Sequence, residues 1–188
     1  MTRLANNRTG LFEKYFYPDR AFSSIYSIDL DELYASGIRC LIVDIDNTLA
    51  KPGAREPDER AVRWLNAVRD MGFDVCMLSN ATRGRVAAFA SGFGIFAISG
   101  ACKPAGRGFE KAFRLLGCEP SRACVIGDQI FTDVWGGKRL GAATVYTVPV
   151  TRWEGFGVML KRIPEFFVIR GYKKYLRRAH VYYNAIRP

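Results

Sequence analysis

At 188 residues with a net charge of +10, the chain fits one domain with a sizeable core and calls for an anionic partner: nucleic acid, phosphorylated small molecules or an anionic membrane surface. Its ordinary apolar (49%) and charged (24%) fractions exclude a disordered chain, and no run reaches the ~18 to 20 apolar residues that span a bilayer. Residues 151–188 hold nine Lys and Arg against Glu154 and Glu165, so +7 of the +10 lies in this tail.

Residues 1–36 are aromatic-rich and irregular, with a turn at Pro18-Asp19. They show no 7-to-15-residue apolar core of a secretory signal, and the acid-poor start up to Glu13 leaves organelle targeting open. The expected location is cytoplasmic, peripheral on the inner face of the membrane. Asp29 is placed to cap a short helix that Gly37 ends. The apolar, β-branched run that follows, IRCLIVDIDNTL, stops at Asp44 and Asp46. Such a run suits a central parallel strand with both faces covered, and ligands of open α/β sheets sit beyond the strands' carboxyl ends.

A Pro/Gly loop over 51–56 leads to an amphipathic helix over 57–71, in which Ala61, Trp64, Leu65 and Val68 recur at helical spacing before Gly72. A second strand over 73–78 ends in Ser79-Asn80. A helix over 82–91, a short strand over 95–99 and Lys103-Pro104 follow. Then come a helix over 108–116, a strand over 123–126 ending in Gly127-Asp128, a helix over 131–140 and a fifth strand over 144–148. Alternating strands and helices predict an α/β, Rossmann-like, doubly wound parallel sheet with right-handed crossovers. The boundaries read from this pattern are a lead-in (1–37), a core (38–150) and a basic aromatic tail (151–188).

There are five cysteines with no Cys-x-x-Cys spacing; three lie inside apolar strand-like runs and read as small buried hydrophobes in a reducing compartment, and a zinc site is not expected. Cys102 stands beside Lys103, where a thiol could be made reactive, and the unreactive reading is the favoured one. His180 is the only histidine, so histidine chemistry and triads are excluded. The glycines form no dinucleotide fingerprint.

The i, i+2 spacing aims Asp44 and Asp46 the same way, so one carboxylate can attack while the other moves a proton, provided a cation makes the pair tolerable. Topology brings four strand ends to one sheet edge: Asp44 and Asp46, then Ser79, then Lys103, then Asp128 and Asp133. A glycosyltransferase would explain D-x-D and a receiver domain an acidic pocket with a lysine. Neither explains both followed by GDQIFTD.

DIDNT, LSN, KP and GDQIFTD, in this order, resemble the motifs of the haloacid dehalogenase (HAD) superfamily. The resemblance implies Asp44 as nucleophile forming an aspartyl-phosphate and Asp46 as acid, then base. It implies Mg²⁺ held by Asp44, the Asp46 carbonyl and Asp128; Ser79, Asn80 and Lys103 on the phosphoryl group; and Thr48 and Asp133 as supports. Stretches such as GIRCLIVDIDNTLA, KPAGRGFEKA and GDQIFTDVWGGKRLGA, with the basic tail, are similar to the YqeG branch of HAD subfamily IIIA. That branch is related to the phosphatidylglycerophosphate phosphatases of mitochondria and plastids, and it implies phosphatidylglycerophosphate as substrate.

The intervals 48–79 and 79–103 have no room for a sizeable cap domain, so a phosphate on something large is expected: an anionic phospholipid, a phosphoprotein or a nucleic-acid end. A tail helix from Pro164 would gather Val168, Tyr172, Tyr175, Leu176, Ala179 and Tyr183 on one face, with Arg170, Lys173, Lys174, Arg177 and Arg178 opposite. The apolar face suits either peripheral contact with anionic lipid or packing on the chain's own core. Nucleic acid is the less favoured partner, and a non-catalytic interaction protein on the same scaffold is the remaining alternative.

Overall fold

The computed structural model describes residues 10–151 and 156–178. Six parallel strands form one sheet: β1 (Arg20–Phe22), β2 (Cys40–Val43), β3 (Asp74–Leu78), β4 (Phe96–Ile98), β5 (Ala123–Gly127) and β6 (Ala143–Thr147). Their order across the sheet is β1-β6-β5-β2-β3-β4. From β2 the chain winds outward through β3 and β4, then crosses back to β5 on the other side. The crevice between β2 and β5 is therefore a topological switch point, where ligands of such sheets bind.

Alternation along β2 explains how both faces of the sheet are covered. Leu41 and Val43 pack with Trp64, Leu65, Val68, Met77 and Phe89, the layer of α2 (Leu30–Ala35), α3 (Glu59–Asp70) and α4 (Arg83–Ala90). Cys40 and Ile42 pack with Phe109, Ala112 and Phe113 from α5 (Gly106–Leu116). The helix ends follow local chemistry. Asp29 and Asp58 cap α2 and α3, their carboxylates accepting from the Glu32 and Ala61 amides. Gly117 closes α5 in the left-handed region, φ +58°.

The lead-in is more regular than its sequence suggests. It carries α1 (Leu11–Phe16) and the edge strand β1, which pairs with β6. Three residues are too short for a periodicity to show. Asp19 anchors the strand's start, accepting from the amide and hydroxyl of Thr144.

The expected helix over 131–140 is also corrected: a π-turn, Ile130–Val134, precedes the short α6 (Trp135–Arg139). This wider turn aims Asp133 back at the end of β5. Gly136 and Gly137 let α6 lie close to Phe109, Val125 and Thr144, all within 3 Å of where a Cβ would stand.

The tail helix, α7, spans Phe156–Arg178 and runs through Pro164. It does not begin at the proline, because Arg162 and Glu165 are engaged by the core on either side of it. Val168, Tyr172 and Leu176 are buried with Ala21, Ile130, Val134 and Tyr146, and Tyr175 packs at the margin. That apolar face thus docks on the chain's own core. Ala179, Tyr183 and His180 lie outside the described residues.

The cysteine expectation is corrected for one pair. Cys40 and Cys118 are joined in a disulfide, with their Cα atoms 6.6 Å apart. The docking of α5 brings these positions together, and their separation of 78 residues hid it. Cys76 and Cys124 are buried thiols, and Cys102 is exposed. Among the described residues, no helix is long and apolar enough to cross a membrane.

Candidate active site

The strand ends that the motifs mark do meet. Asp44 continues β2, its amide donating to the Ile126 carbonyl at 2.9 Å, which fixes it beside the end of β5. Lys103 lies in the loop after β4. Its Nζ donates to Asp44 Oδ1 at 2.5 Å and to Asp133 Oδ1 at 2.6 Å, all three groups being buried. One ammonium thus bridges two carboxylates. Burial favours neutral lysine, yet Asp133 and Asp44 together outweigh that and hold the ammonium charged.

The same burial pushes the Asp44 carboxyl up to about 7 against the pull of Lys103, with Asp133 adding to the rise. Asp128, fully buried, is raised by burial and by Asp44, and Arg162 opposes this. One carboxylate oxygen from each of Asp44, Asp128 and Asp133 lies within 4.8 Å of the others. Three buried carboxylates so close carry one negative charge more than Lys103 and Arg162 together offset. A hard divalent cation with oxygen ligands, such as Mg²⁺, fits this donor set.

The supporting residues are tied by specific bonds. Asn80 holds the backbone of Lys103: its Oδ1 accepts from the Lys103 amide at 2.8 Å and its Nδ2 donates to the Lys103 carbonyl at 3.4 Å. Ser79 is buried, its hydroxyl accepting from the Ala81 amide at 3.1 Å. Thr48 donates to Asp128 Oδ1 at 3.5 Å. Asp133 Oδ2 accepts from the Gln129 amide and the Thr132 hydroxyl, both at 3.2 Å. Asn47, at φ +61°, clamps the segment after β6 by accepting from the amides of Val150 and Thr151.

Asp46 stands apart from the buried cluster. Its side chain is half-buried and accepts from Arg85 Nη1 at 2.6 Å and from the Gly53 amide at 3.1 Å. Sequence reasoning missed Arg85, a first-turn residue of α4 in SNATRGR that resembles any helical surface arginine. It also missed Arg162 and Glu165, treated only as tail charge. Arg162 donates through Nη1 to the Asp128 carbonyl at 2.7 Å and to Glu165 Oε2 at 2.8 Å, and through Nη2 to Asp128 Oδ2. Glu165, raised by its burial with Arg162 opposing, accepts from the Phe131 amide. An acid on the apolar face of the tail helix, three residues after an arginine, was the available signal.

A parallel sheet with an aspartate beyond its central strand, a lysine that bridges it to a second aspartate and a third aspartate beside them suits a class of hydrolases. The family model for haloacid dehalogenase-like hydrolases matches residues 12–141, and the chain belongs to that family. It is similar to the protein named probable phosphatase YqeG of Bacillus subtilis (strain 168), with 32% identity across 91% of this chain and 98% of that one. It is 33% identical to the chloroplastic phosphatidylglycerophosphate phosphatase 1 of Chlamydomonas reinhardtii, over 81% of this chain and 61% of that protein. Among solved structures, a haloacid dehalogenase-like hydrolase from Brucella suis 1330 superposes with a TM-score of 0.50 at 15% identity, over 65% of this chain and 92% of that one. At that identity the likeness concerns the fold.

Proposed function

We propose that this chain is a Mg²⁺-dependent phosphomonoester hydrolase that works through an aspartyl-phosphate on Asp44 and removes the terminal phosphate of phosphatidylglycerophosphate. The observation that carries the chemistry is the Lys103 ammonium bridging Asp44 and Asp133 beside Asp128. Phosphoryl transfer asks for an in-line nucleophile and fixed positive charge around the phosphoryl oxygens, and these groups supply both.

An Asp44 carboxylate oxygen attacks phosphorus, and the bond from phosphorus to the lipid oxygen breaks. Asp46 gives the leaving oxygen its proton, for which its carboxyl must turn inward from Arg85. Water then attacks the phosphorus of the aspartyl-phosphate while Asp46 takes the water's proton, freeing phosphate and restoring Asp44. Lys103 and the Ser79 hydroxyl hold the non-bridging oxygens, and Asn80 keeps the lysine backbone in place. Asp44 and Asp128, with the Asp46 carbonyl, would hold Mg²⁺, which supplies charge neutralisation at the phosphoryl group. Asp133 positions Lys103.

Two features support the lipid substrate: likeness to phosphatidylglycerophosphate phosphatase 1, and the short segments after β2 and β3, which among the described residues hold one helix each, α3 and α4, and no cap domain. The test measures phosphate release from phosphatidylglycerophosphate in mixed micelles, with and without Mg²⁺, for wild type and Asp44→Asn beside an aryl phosphate. Turnover of the lipid far above the aryl phosphate, abolished in the variant and by metal removal, is expected. Cleavage of the aryl phosphate alone would leave the chemistry and remove the lipid.

A further inference from the structure

The outward flank of α7 is divided along its length. Leu160, Ile163, Phe166 and Phe167 are 62%, 60%, 59% and 66% exposed, and Phe166 and Phe167 meet edge to face at 5.6 Å. Arg170, Lys174 and Arg177, all exposed, continue the same flank toward the helix's end. At ~100° per residue the seven side chains fall within ~120° of arc. The opposite side is spoken for by Glu165, Val168, Tyr172 and Leu176 in the core.

Four large apolar side chains exposed together, two of them aromatic, cost solubility unless something covers them. We infer that this flank is the surface by which the protein sits on an anionic lipid bilayer, with Leu160, Ile163, Phe166 and Phe167 in the acyl boundary and Arg170, Lys174 and Arg177 on the lipid phosphates. The charge decides the partner. Among the described residues the flank carries three cations and no acid, since Glu165 is buried. An apolar patch with an adjoining cluster of one sign suits a surface that is apolar beneath and anionic at its rim. A nucleic acid would satisfy the cations and leave the four apolar groups wet. A second copy of the chain would set cation against cation.

The position of the flank links it to the active site. Arg162 and Glu165, each next in sequence to an exposed member of it, bind Asp128 and the Phe131 amide. A bilayer engaged there lies beside the strand ends, so a phosphorylated head group is presented without leaving the membrane. This inference rests on the lipid reading of the function for its purpose, and on the exposed flank for its geometry.

The test is co-sedimentation of the full chain with phosphatidylcholine vesicles, with and without phosphatidylglycerol, for wild type, Phe166→Ser/Phe167→Ser and Arg170→Glu/Lys174→Glu. Wild type should sediment only with the anionic vesicles, and each double variant should lose about tenfold or more in binding. Both variants should keep wild-type hydrolysis of a soluble aryl phosphate, which reports that they fold. Three results would overturn the surface: no vesicle binding by wild type, unchanged binding by the phenylalanine variant, or a wild-type dimer that this variant converts to monomer. Vesicle binding without release of phosphate from phosphatidylglycerophosphate would keep the surface and remove the substrate. Turnover in micelles without vesicle binding would do the reverse.

Discussion

Arg162 grips Asp128 at two points, its guanidinium bonding both the buried carboxylate and the backbone carbonyl of the same residue. The C-terminal helix is thereby part of the edge that carries the candidate site, because the aspartate that follows β5 receives its counter-charge from α7.

Removing that counter-charge should expose its function. In Arg162→Met, Asp128 loses its charged partner and keeps only the Thr48 hydroxyl, and breaking such a pair costs ~3 to 5 kcal/mol when both groups are buried. With Arg162 about a fifth exposed, a loss of about 2 to 3 kcal/mol in a chelator is expected. Mg²⁺ should then raise the variant's melting temperature by more than the wild type's, since the cation takes over the arginine's role. Equal melting temperatures in the chelator would show that the pair is idle.

Asp44 should make metal binding pH-dependent. Its folded-state value of about 7 lies above the ordinary carboxylate range, so between that range and pH 7 the folded protein binds a proton that the unfolded chain has released. Raising the pH through this window therefore weakens the metal-free fold. A cation must displace the same proton, so stabilisation by Mg²⁺ should grow as pH rises toward 7 and level off above it. Melting curves with Mg²⁺ and with chelator, run across this range, check the sign.

Gly127 is where the site tolerates least. A Cβ there would stand 2.3 Å from Asp133 Cγ, so Gly127→Ala must push Asp133 off Lys103. Misplacement by about an ångström can cost ~100-fold in rate. A fall in kcat on an aryl phosphate of at least about tenfold, with the circular dichroism spectrum of wild type, is expected.

Docking of α7 should be separable from chemistry at its far end. Leu176 is buried with Tyr172 and Val168, and Leu176→Ala should cost about 2 to 3 kcal/mol, the low end for a buried leucine because the helix end can close in. Chemical denaturation gives the value. A change below about 0.5 kcal/mol, the size of a surface substitution, would mean that the helix is not held there.

What could be read from the chain was what is local or periodic. The 3.6-residue spacing of Ala61, Trp64, Leu65 and Val68 marked α3, and all four are buried on that helix. The unbroken apolar run before Asp44 marked β2, and the four residues of that strand are buried. The order of Asp44, Ser79, Lys103 and Asp128 along alternating strands implied a shared edge, because parallel strands with right-handed crossovers put all their carboxyl ends on one side. The sequence by itself therefore determined the sheet class and most of the candidate site.

The tertiary structure alone decided what depends on contacts distant along the chain. The edge strand Arg20–Phe22 exists because β6 offers it a partner, and no three residues declare that for themselves. Asp46 pairs with Arg85 from another element, and Cys40 meets Cys118 across the docking of α5. The tail shows the limit most plainly. Its sequence has two amphipathic solutions, and only the packing of Tyr172 and Leu176 on the core turned Leu160, Ile163, Phe166 and Phe167 outward and carried Arg162 to Asp128. A helix's periodicity says which residues share a face, but what covers that face depends on surfaces assembled from elsewhere in the chain.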